Sequence, residues 1–487
     1  MQPPSSSSKD CAESPTLGHS EQDVLIVGAG VLGCTLAISL ARQGRRVLLI
    51  ERNLNEPDRI VGELLQPGGV AALSRLGLES CLEGIDAHPV KGYRIFYHDD
   101  VITFLYPPVP NLSKNSYKQD SLQRPKGRSF HHGRFVMKLR EVAKREQHIQ
   151  IVQTTARDLL WSECPKRVVG VRCRRHAEHP VTYHAPLTII ADGYASNFRS
   201  KLIDRSVSTS SRFWGLELID ADLGSTSLAL GVIGNGGPVL IYQIGKRETR
   251  ILIDIPETVY KLCSEDGGIK RHIRTRVIPT LPTSVRPAVE TALATGRLRS
   301  MPNSWLPPSK NQPLGVAVLG DAMNMRHPLT GGGMTVALND VVLLSQLLNP
   351  QKVPSFSDTV AVSRQMRKFH RKRKAKNASL NILAQALYCL FVADDPSLQV
   401  LQRGFMKYIK HGGKYVEGPS GLMGGVYHSP FLLCYHFFSI ALYSLWVLLC
   451  EECANSVWGL PAAIIQCVLV FGRAIKMIAP YILAECS

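Results

Sequence analysis

The first twenty residues, Met1 to Ser20, lack any apolar run and are rich in serine and proline. That excludes a secretory signal peptide at this end, which needs an apolar core, and the segment reads as disordered. The twelve cysteines lack a framework: they are scattered, several within apolar stretches. Cys450-Glu-Glu-Cys453 is a lone C-x-x-C with no second pair and no thioredoxin-like setting. A reducing, cytosol-facing location fits that usage. No zinc-finger spacing, catalytic triad, metal cluster or RNA-binding aromatic motif occurs, and no internal repeat. Acidic residues are few: 39 against 57 lysines and arginines gives a net charge of +18, in a chain otherwise ordinary at 45% hydrophobic and 20% charged. Such a charge suits an anionic membrane or a nucleic acid. The densest basic run, Arg364 to Lys376, resembles a nuclear signal or RNA patch. Without recognition motifs it reads as a solvated helix face leading into an apolar helix, so no nucleic-acid partner is expected.

What is present begins at Asp23-Val-Leu-Ile-Val-Gly-Ala-Gly-Val-Leu-Gly33. Asp23 to Val27 reads as a buried parallel strand, Val31 to Gln43 as an apolar helix, and Arg46 to Ile50 as a second strand ending in Glu51. Between them lies G-x-G-x-x-G. Gly28 permits the tight turn, Gly30 lets backbone approach a pyrophosphate, and Gly33 lets helix and sheet pack closely. The helix N-terminus presents free N–H groups and a positive dipole end to phosphates. Glu51 stands where a carboxylate accepts ribose hydroxyls. This is a dinucleotide site. There is no second such fingerprint, so a second nucleotide has no site of this kind.

Further along, proline and glycine flank an ordered loop from Asn53 to Gly69, followed by a helix from Val70 to Leu76. Tyr93 to Phe104 alternates like a strand, and Pro107 to Arg128 reads as a surface loop. A helix from about Gly133 to Glu146 leads into a strand from Ile149 to Thr154. Val168–Arg174 and Tyr183–Ala191 read as strands, and Ser211 to Ile255 alternates as an antiparallel sheet would. Val316 to Leu319 is a short buried strand. Near the end, Phe431 to Cys450 is an apolar run of twenty residues and Val457 to Ala484 a second apolar stretch. The first is long enough to span a bilayer, but two adjacent helices can equally lie within one leaflet. Membrane contact is expected, against the alternative of a core helical hairpin.

Two later segments point to the same cofactor as the fingerprint. Ala191-Asp-Gly-Tyr-Ala-Ser-Asn-Phe-Arg199 is a strand-end Asp-Gly followed by a basic helix start. Leu319-Gly-Asp-Ala-Met-Asn-Met-Arg-His-Pro-Leu-Thr-Gly-Gly-Gly-Met334 delivers Asp321, whose carboxylate can accept from ribityl hydroxyls, and then a glycine-rich turn at a helix start. In this order the three segments resemble the fingerprints of the single-component flavin monooxygenases with the aromatic-hydroxylase-like fold. Within that superfamily, Asp58-Arg-Ile-Val-Gly-Glu-Leu-Leu-Gln-Pro-Gly-Gly69, His131-His-Gly-Arg-Phe135, Leu298-Arg-Ser-Met-Pro302, Arg326-His-Pro-Leu-Thr-Gly-Gly-Gly-Met334 and Asn381-Ile-Leu-Ala-Gln-Ala-Leu-Tyr388 resemble squalene epoxidase (squalene monooxygenase). The resemblance runs from about Gln22 to the C-terminus. Many members carry an N-terminal membrane segment that this sequence lacks, so anchoring is expected from the C-terminal helices.

The resemblance implies an α/β fold. A Rossmann-type FAD-binding domain (21–52, 137–193 and 308–373) would join an antiparallel-sheet substrate domain (53–136 and 194–307), with residues 374–487 helical and membrane-associated. It implies FAD as cofactor, squalene and O2 as substrates, and NADPH-derived electrons delivered by a separate NADPH-cytochrome P450 reductase. The setting would be membrane lipid of the endoplasmic reticulum, with the catalytic domain facing the cytosol. Residue by residue, Val31 and Leu32 would offer N–H groups to the pyrophosphate, and Glu51 and Arg52 would hold the adenosine end. Arg59 lies in the flavin-binding loop, where a guanidinium suits phosphate or a ring carbonyl. Leu64 stands where phenylalanine is common, which limits it to a backbone or aliphatic contact. Arg140 matches a flavin-contacting arginine, Ala156 falls where backbone meets adenine, Asp321 is the ribityl ligand, and Met334 contacts the flavin from the helix start. Tyr93 matches a tyrosine at the flavin–substrate boundary, the expected catalytic residue, and Gln66 the glutamine that bonds its phenol. Two other readings keep these motifs in view: a flavin monooxygenase acting on another prenyl or polycyclic lipid, and a non-catalytic prenyl-lipid carrier, which need not retain Asp192-Gly193 or Gly320-Asp321.

Overall fold

The computed structural model describes residues 22–110, 122–174, 180–234, 237–263, 268–311, 313–455 and 460–486. The expected disordered segment 1–20 lies outside them, as does part of the expected surface loop. The described flanks of that loop pair as the short strands Val109–Pro110 and Leu122–Gln123.

Val24–Val27, Val47–Glu51 and Leu187–Ile190 are runs of Val, Leu and Ile buried almost throughout, the pattern of strands covered on both faces. They form a five-stranded parallel sheet in the order 149–153, 47–51, 24–27, 187–190, 316–318. The fingerprint helix, Val31–Ala41, is buried on nearly every side because Gly333–Leu347 and His132–Arg145 pack against it.

A seven-stranded sheet forms a second layer, in the order Arg299–Trp305, Ser208–Ile219, Glu248–Pro256, Val239–Gln243, Leu228–Ile233, Gly92–Tyr97, Asp100–Leu105. The stretch read as one strand, Tyr93 to Phe104, is a hairpin. His98 at φ 50° opens the turn, a left-handed conformation that His and Asp tolerate better than most residues. The sheet is also not wholly antiparallel, because Leu228–Ile233 runs parallel to Gly92–Tyr97. Parallel pairing needs no local turn, so strands over 130 residues apart in sequence join without a hairpin signal.

Among the described residues five helices follow: Thr359–Val392, Pro396–Lys410, Lys414–Met423, Pro430–Asn455 and Leu460–Cys486. The last two are long and apolar enough to cross a membrane. Each has two faces. Ala441, Ser444 and Leu448, with Val470, Ala474 and Met477, are buried against the body, whereas Phe431, Tyr435, Leu442 and Trp446, with Ile465, Val468 and Leu469, are exposed. Contact is close at Gly404 and at Gly418, where an added Cβ would stand 1.9 Å from Ser444 Oγ and from His436 Nε2, respectively. The basic run lies on Thr359–Val392, and Arg364, Arg367, Lys368, Arg371 and Lys372 are exposed as expected. Arg373 departs from that reading. It is buried, with its Nε 2.7 Å from Asp340 Oδ2, because Gly333–Leu347 packs along that side of the helix.

Candidate functional site

The fingerprint turn is held from behind. Gly28 has φ 105°, and a Cβ on Gly33 would come 1.8 Å from Gly28 O, so turn and helix approach only because both are glycine. Ala29 N–H donates to Glu51 Oε2 at 2.8 Å and Asn53 N–H to Oε1 at 3.1 Å. Arg140, buried, donates from Nε to Ala29 O at 2.9 Å and from Nη1 to Asn55 O at 3.0 Å, with Nη2 3.7 Å from Glu51 Oε2. Among the described residues Gly30 has nothing within 4 Å of an added Cβ, so the turn is open on its outer side.

The other two fingerprints meet the first. Arg199 donates to Asp321 O and to Ala322 O, both at 3.0 Å, tying the Asp-Gly segment to the third. One cavity is then lined by Gly30, Val31, Leu32, Arg59, Leu64, Asp321 and Met334. Arg59 lies 5.2 Å from the Tyr194 ring. The helix starts at Val31 and Gly333 both line this cavity, the arrangement of N–H groups that anionic groups favour. An open glycine, two helix starts and the Asp321 carboxylate fit a flavin dinucleotide. Six of the expected residues do not line the cavity: Gly28 and Gly33 form the turn and Glu51 and Arg140 brace it, Ala156 is buried in the strand Thr155–Glu163, and Arg52 is exposed just past the end of its strand.

His132 also lines the cavity, although the sequence singled it out only as part of a motif. Its Nδ1 lies 2.9 Å from Gly62 O, and burial, with Arg59 nearby, lowers its pKa to about 4. The ring is therefore neutral at pH 7. The Asp58 to Gly69 loop is fastened to the large sheet by a buried bidentate pair, Arg250 to Glu63, at 2.7 and 3.0 Å.

A second cavity is almost entirely apolar and touches the first at Leu240 and Leu329. Its walls include Phe391, Phe405 and Leu422, and helix Pro430–Asn455 contributes Leu433, Phe437 and Ile440. Tyr93 and Thr330 also line it. Gln66 Nε2 donates to Tyr93 Oη at 2.7 Å and to Thr330 O at 2.5 Å, and Tyr106 Oη donates to Gln66 Oε1 at 2.5 Å. Both amide hydrogens and the amide oxygen are engaged, which fixes the amide's orientation. Tyr93 Oη accepts from Gln66 Nε2 and has Tyr106 Oη 3.4 Å away as a second, longer donor. Burial raises the Tyr93 pKa, so the phenol is a neutral donor and not a base. Tyr106 escaped the sequence reading: its contact with Gln66 exists only once the hairpin has formed, 40 residues away in sequence.

Comparisons with known proteins agree with this geometry. A family model described as squalene epoxidase matches residues 184–465, and one described as FAD dependent oxidoreductase matches residues 23–58. Squalene epoxidase erg1 of Aspergillus fumigatus is 50% identical over 480 residues, covering 99% of this chain and 97% of its own. The chain belongs to the squalene epoxidase family. Squalene monooxygenase of Mus musculus is 40% identical over 96% of this chain and 78% of its own. Among solved structures, the flavin-dependent brominase Bmp2 shares the fold with a TM-score of 0.66 at 14% identity, over 87% of this chain and 98% of its own. The probable FAD-dependent monooxygenase pqsL of Pseudomonas aeruginosa does so with a TM-score of 0.61 at 20% identity, over 76% and 96%. Like these neighbours, this squalene epoxidase family chain has the FAD-dependent monooxygenase fold.

Proposed function

We propose that this chain is an FAD-dependent monooxygenase that converts squalene to (S)-2,3-epoxysqualene with O2, in sterol or triterpenoid synthesis. The observation that carries the reading is the pairing of two adjoining cavities that share Leu240 and Leu329, one lined by the three fingerprints and the other almost entirely apolar. Membership in the squalene epoxidase family supports the same substrate.

Bound FAD, when reduced, supplies the activation of O2 that transfers one oxygen atom to an alkene. The chain's own residues do the rest. Val31 and Leu32 would offer backbone N–H groups to the pyrophosphate, Glu51 and Arg52 would serve the adenosine end, and Ala156 would back it. Asp321 would accept from the ribityl chain, and Arg59, Leu64 and Met334 would contact the flavin. Arg140 holds the turn and Glu51 in place. The apolar walls extend the triterpene and exclude water from the reacting end. Tyr93, fixed by Gln66 and kept protonated by burial, orients the boundary between flavin and alkene.

Residues 21–52, 137–193 and 308–373 form the FAD-binding part in this reading, and 53–136 with 194–307 the substrate part. Electrons come from NADPH through a separate NADPH-cytochrome P450 reductase, since the sequence carries one dinucleotide fingerprint. The exposed apolar stripes of the last two helices lie in the cytosolic leaflet of the endoplasmic reticulum membrane, facing membrane lipids. Because the same two helices help wall the apolar cavity, squalene enters from the bilayer. The test is product analysis after incubation with squalene, NADPH, reductase and FAD. Epoxysqualene formed only with all four supports the reading. Flavin-loaded protein that leaves squalene unchanged but oxidises another prenyl lipid overturns the substrate assignment.

A further inference from the structure

Beneath the turn that separates the two cavities lies a buried polar cluster that the reaction so far leaves unused. His327 is 1% exposed, stacked on Tyr388 with ring centroids 3.8 Å apart and edged by Phe213 at 5.7 Å. Its backbone N–H donates to Gln385 Oε1 at 2.9 Å. Its Nδ1 accepts the Leu329 N–H at 3.2 Å, capping the short helical turn Pro328–Thr330. A ring nitrogen that accepts an amide hydrogen carries none, so in the neutral ring Nε2 holds the proton. That N–H faces Ser211 Oγ at 3.2 Å and Asp254 Oδ1 at 3.5 Å. Ser211 Oγ donates to the same Asp254 oxygen at 2.5 Å, as does Asn303 Nδ2 at 2.7 Å. Three neighbouring strands of the large sheet thus each contribute one side chain to the cluster below this imidazole.

We propose that His327, strapped to Ser211 and Asp254, is a positioning residue that sets the Tyr93–Gln66 pair through the Pro328–Thr330 turn. The proposal rests on the reading of Tyr93 as the residue that orients the flavin–substrate boundary. The physical link is short. The imidazole holds the amide of residue 329, the carbonyl of residue 330 accepts one Gln66 amide hydrogen, and the other Gln66 hydrogen holds the Tyr93 oxygen. Leu329 and Thr330 line the apolar cavity, so any shift of the turn reaches both the amide and the wall. A purely space-filling role is served better by apolar side chains, because buried polar groups are costly unless fully paired. Among the described residues Asp254 Oδ2 and Asn303 Oδ1 have no hydrogen-bond partner, so the cluster is not the cheapest way to fill this space. Burial lowers the His327 pKa while Asp254 opposes it, which keeps the ring neutral and the cap intact at pH 7.

The two ends of the imidazole can be tested separately. His327→Asn places an acceptor near the position of Nδ1, keeping the cap but losing the strap. His327→Gln reaches toward Ser211 but loses the cap. Each full-length variant is loaded with FAD, and epoxide formed per NADPH consumed is measured beside hydrogen peroxide release, FAD content and thermal midpoint. FAD content is expected to hold, while coupling falls roughly three- to tenfold in either variant, the scale of one lost neutral hydrogen bond. A merely structural residue would lower the midpoint and leave the coupling of the folded, flavin-loaded fraction unchanged. In a Tyr93→Phe background the further loss from His327→Asn should be smaller than in wild type, because both act on one link. Wild-type coupling in His327→Asn, or equal losses in both backgrounds, overturns the proposal. If Tyr93→Phe alone couples like wild type, it is the reading of Tyr93 that falls.

Discussion

Tyr93→Phe isolates one oxygen atom. The ring keeps its neighbours, Phe104 at 5.8 Å and Tyr106 at 6.0 Å between centroids, so apolar contact is preserved. The Gln66 amide keeps Thr330 O and Tyr106 Oη, so it does not turn over. What is lost is the acceptor for one amide hydrogen, in a place where Tyr93 is 6% and Gln66 0% exposed. A buried donor left without a partner costs about 1–3 kcal/mol. If the cost falls on the reacting geometry, turnover drops by roughly five- to over a hundredfold. Epoxide formation at saturating FAD and squalene measures it. Flavin content should match wild type, because no Tyr93 atom lines the nucleotide cavity. Tyr106→Phe provides the contrast: it frees Gln66 Oε1 and with it the amide's orientation, so it should slow turnover while also lowering the thermal midpoint. A Tyr93→Phe enzyme with the wild-type rate would refute the reasoning and leave the residue a core tyrosine. Loss of flavin together with activity would make it a structural one.

Asp321→Ala removes an acceptor from the nucleotide cavity and should weaken FAD by roughly ten- to a hundredfold, for a charged hydrogen bond of about 1.5–3 kcal/mol; unchanged affinity by titration would show the wrong residue. His132, with a pKa of about 4 when folded against an ordinary 6.5, binds its proton more weakly in the folded state, so stability falls as pH drops below 6.5 and finishes falling near pH 4. Between pH 7 and pH 5 its share is about 2 kcal/mol, so His132→Asn should flatten the thermal midpoint against pH over that window, and an unaltered slope would contradict the assignment. Leu442→Glu with Leu469→Glu alters side chains 57% and 62% exposed and should release folded, flavin-binding protein from membranes; retention on membranes at high salt would refute the leaflet placement. Gly404→Ala puts a methyl group against Ser444 and should destabilise the packing of Pro396–Lys410 on Pro430–Asn455, visible as faster proteolysis of the C-terminal helices, whereas wild-type resistance would mean that the helices shift to admit it.

The sequence alone determined the features whose cause is local. The strands at 24–27 and 47–51 were legible because strands covered on both faces must be continuously apolar, whereas the stretch read as one strand from Tyr183 to Ala191 divides into Val181–His184 and Leu187–Ile190, which join different sheets. Gly28 and Gly33 of the fingerprint were legible because no other residue permits those approaches. The two apolar C-terminal helices were legible from length and composition. Tertiary structure decided the rest. Only folding showed that residues 93–104 double back, since one turn residue at positive φ does not interrupt an alternating pattern. Arg373 looked like its basic neighbours until another helix packed over it and supplied Asp340. Arg140 and Glu51, read as ligands, turned out to bind each other and the turn as well. The Tyr106–Gln66–Tyr93 and Asp254–Ser211–His327 clusters join residues tens to more than a hundred positions apart. A hydrogen bond depends on where two side chains meet and not on their spacing along the chain, so no periodicity announces such partners.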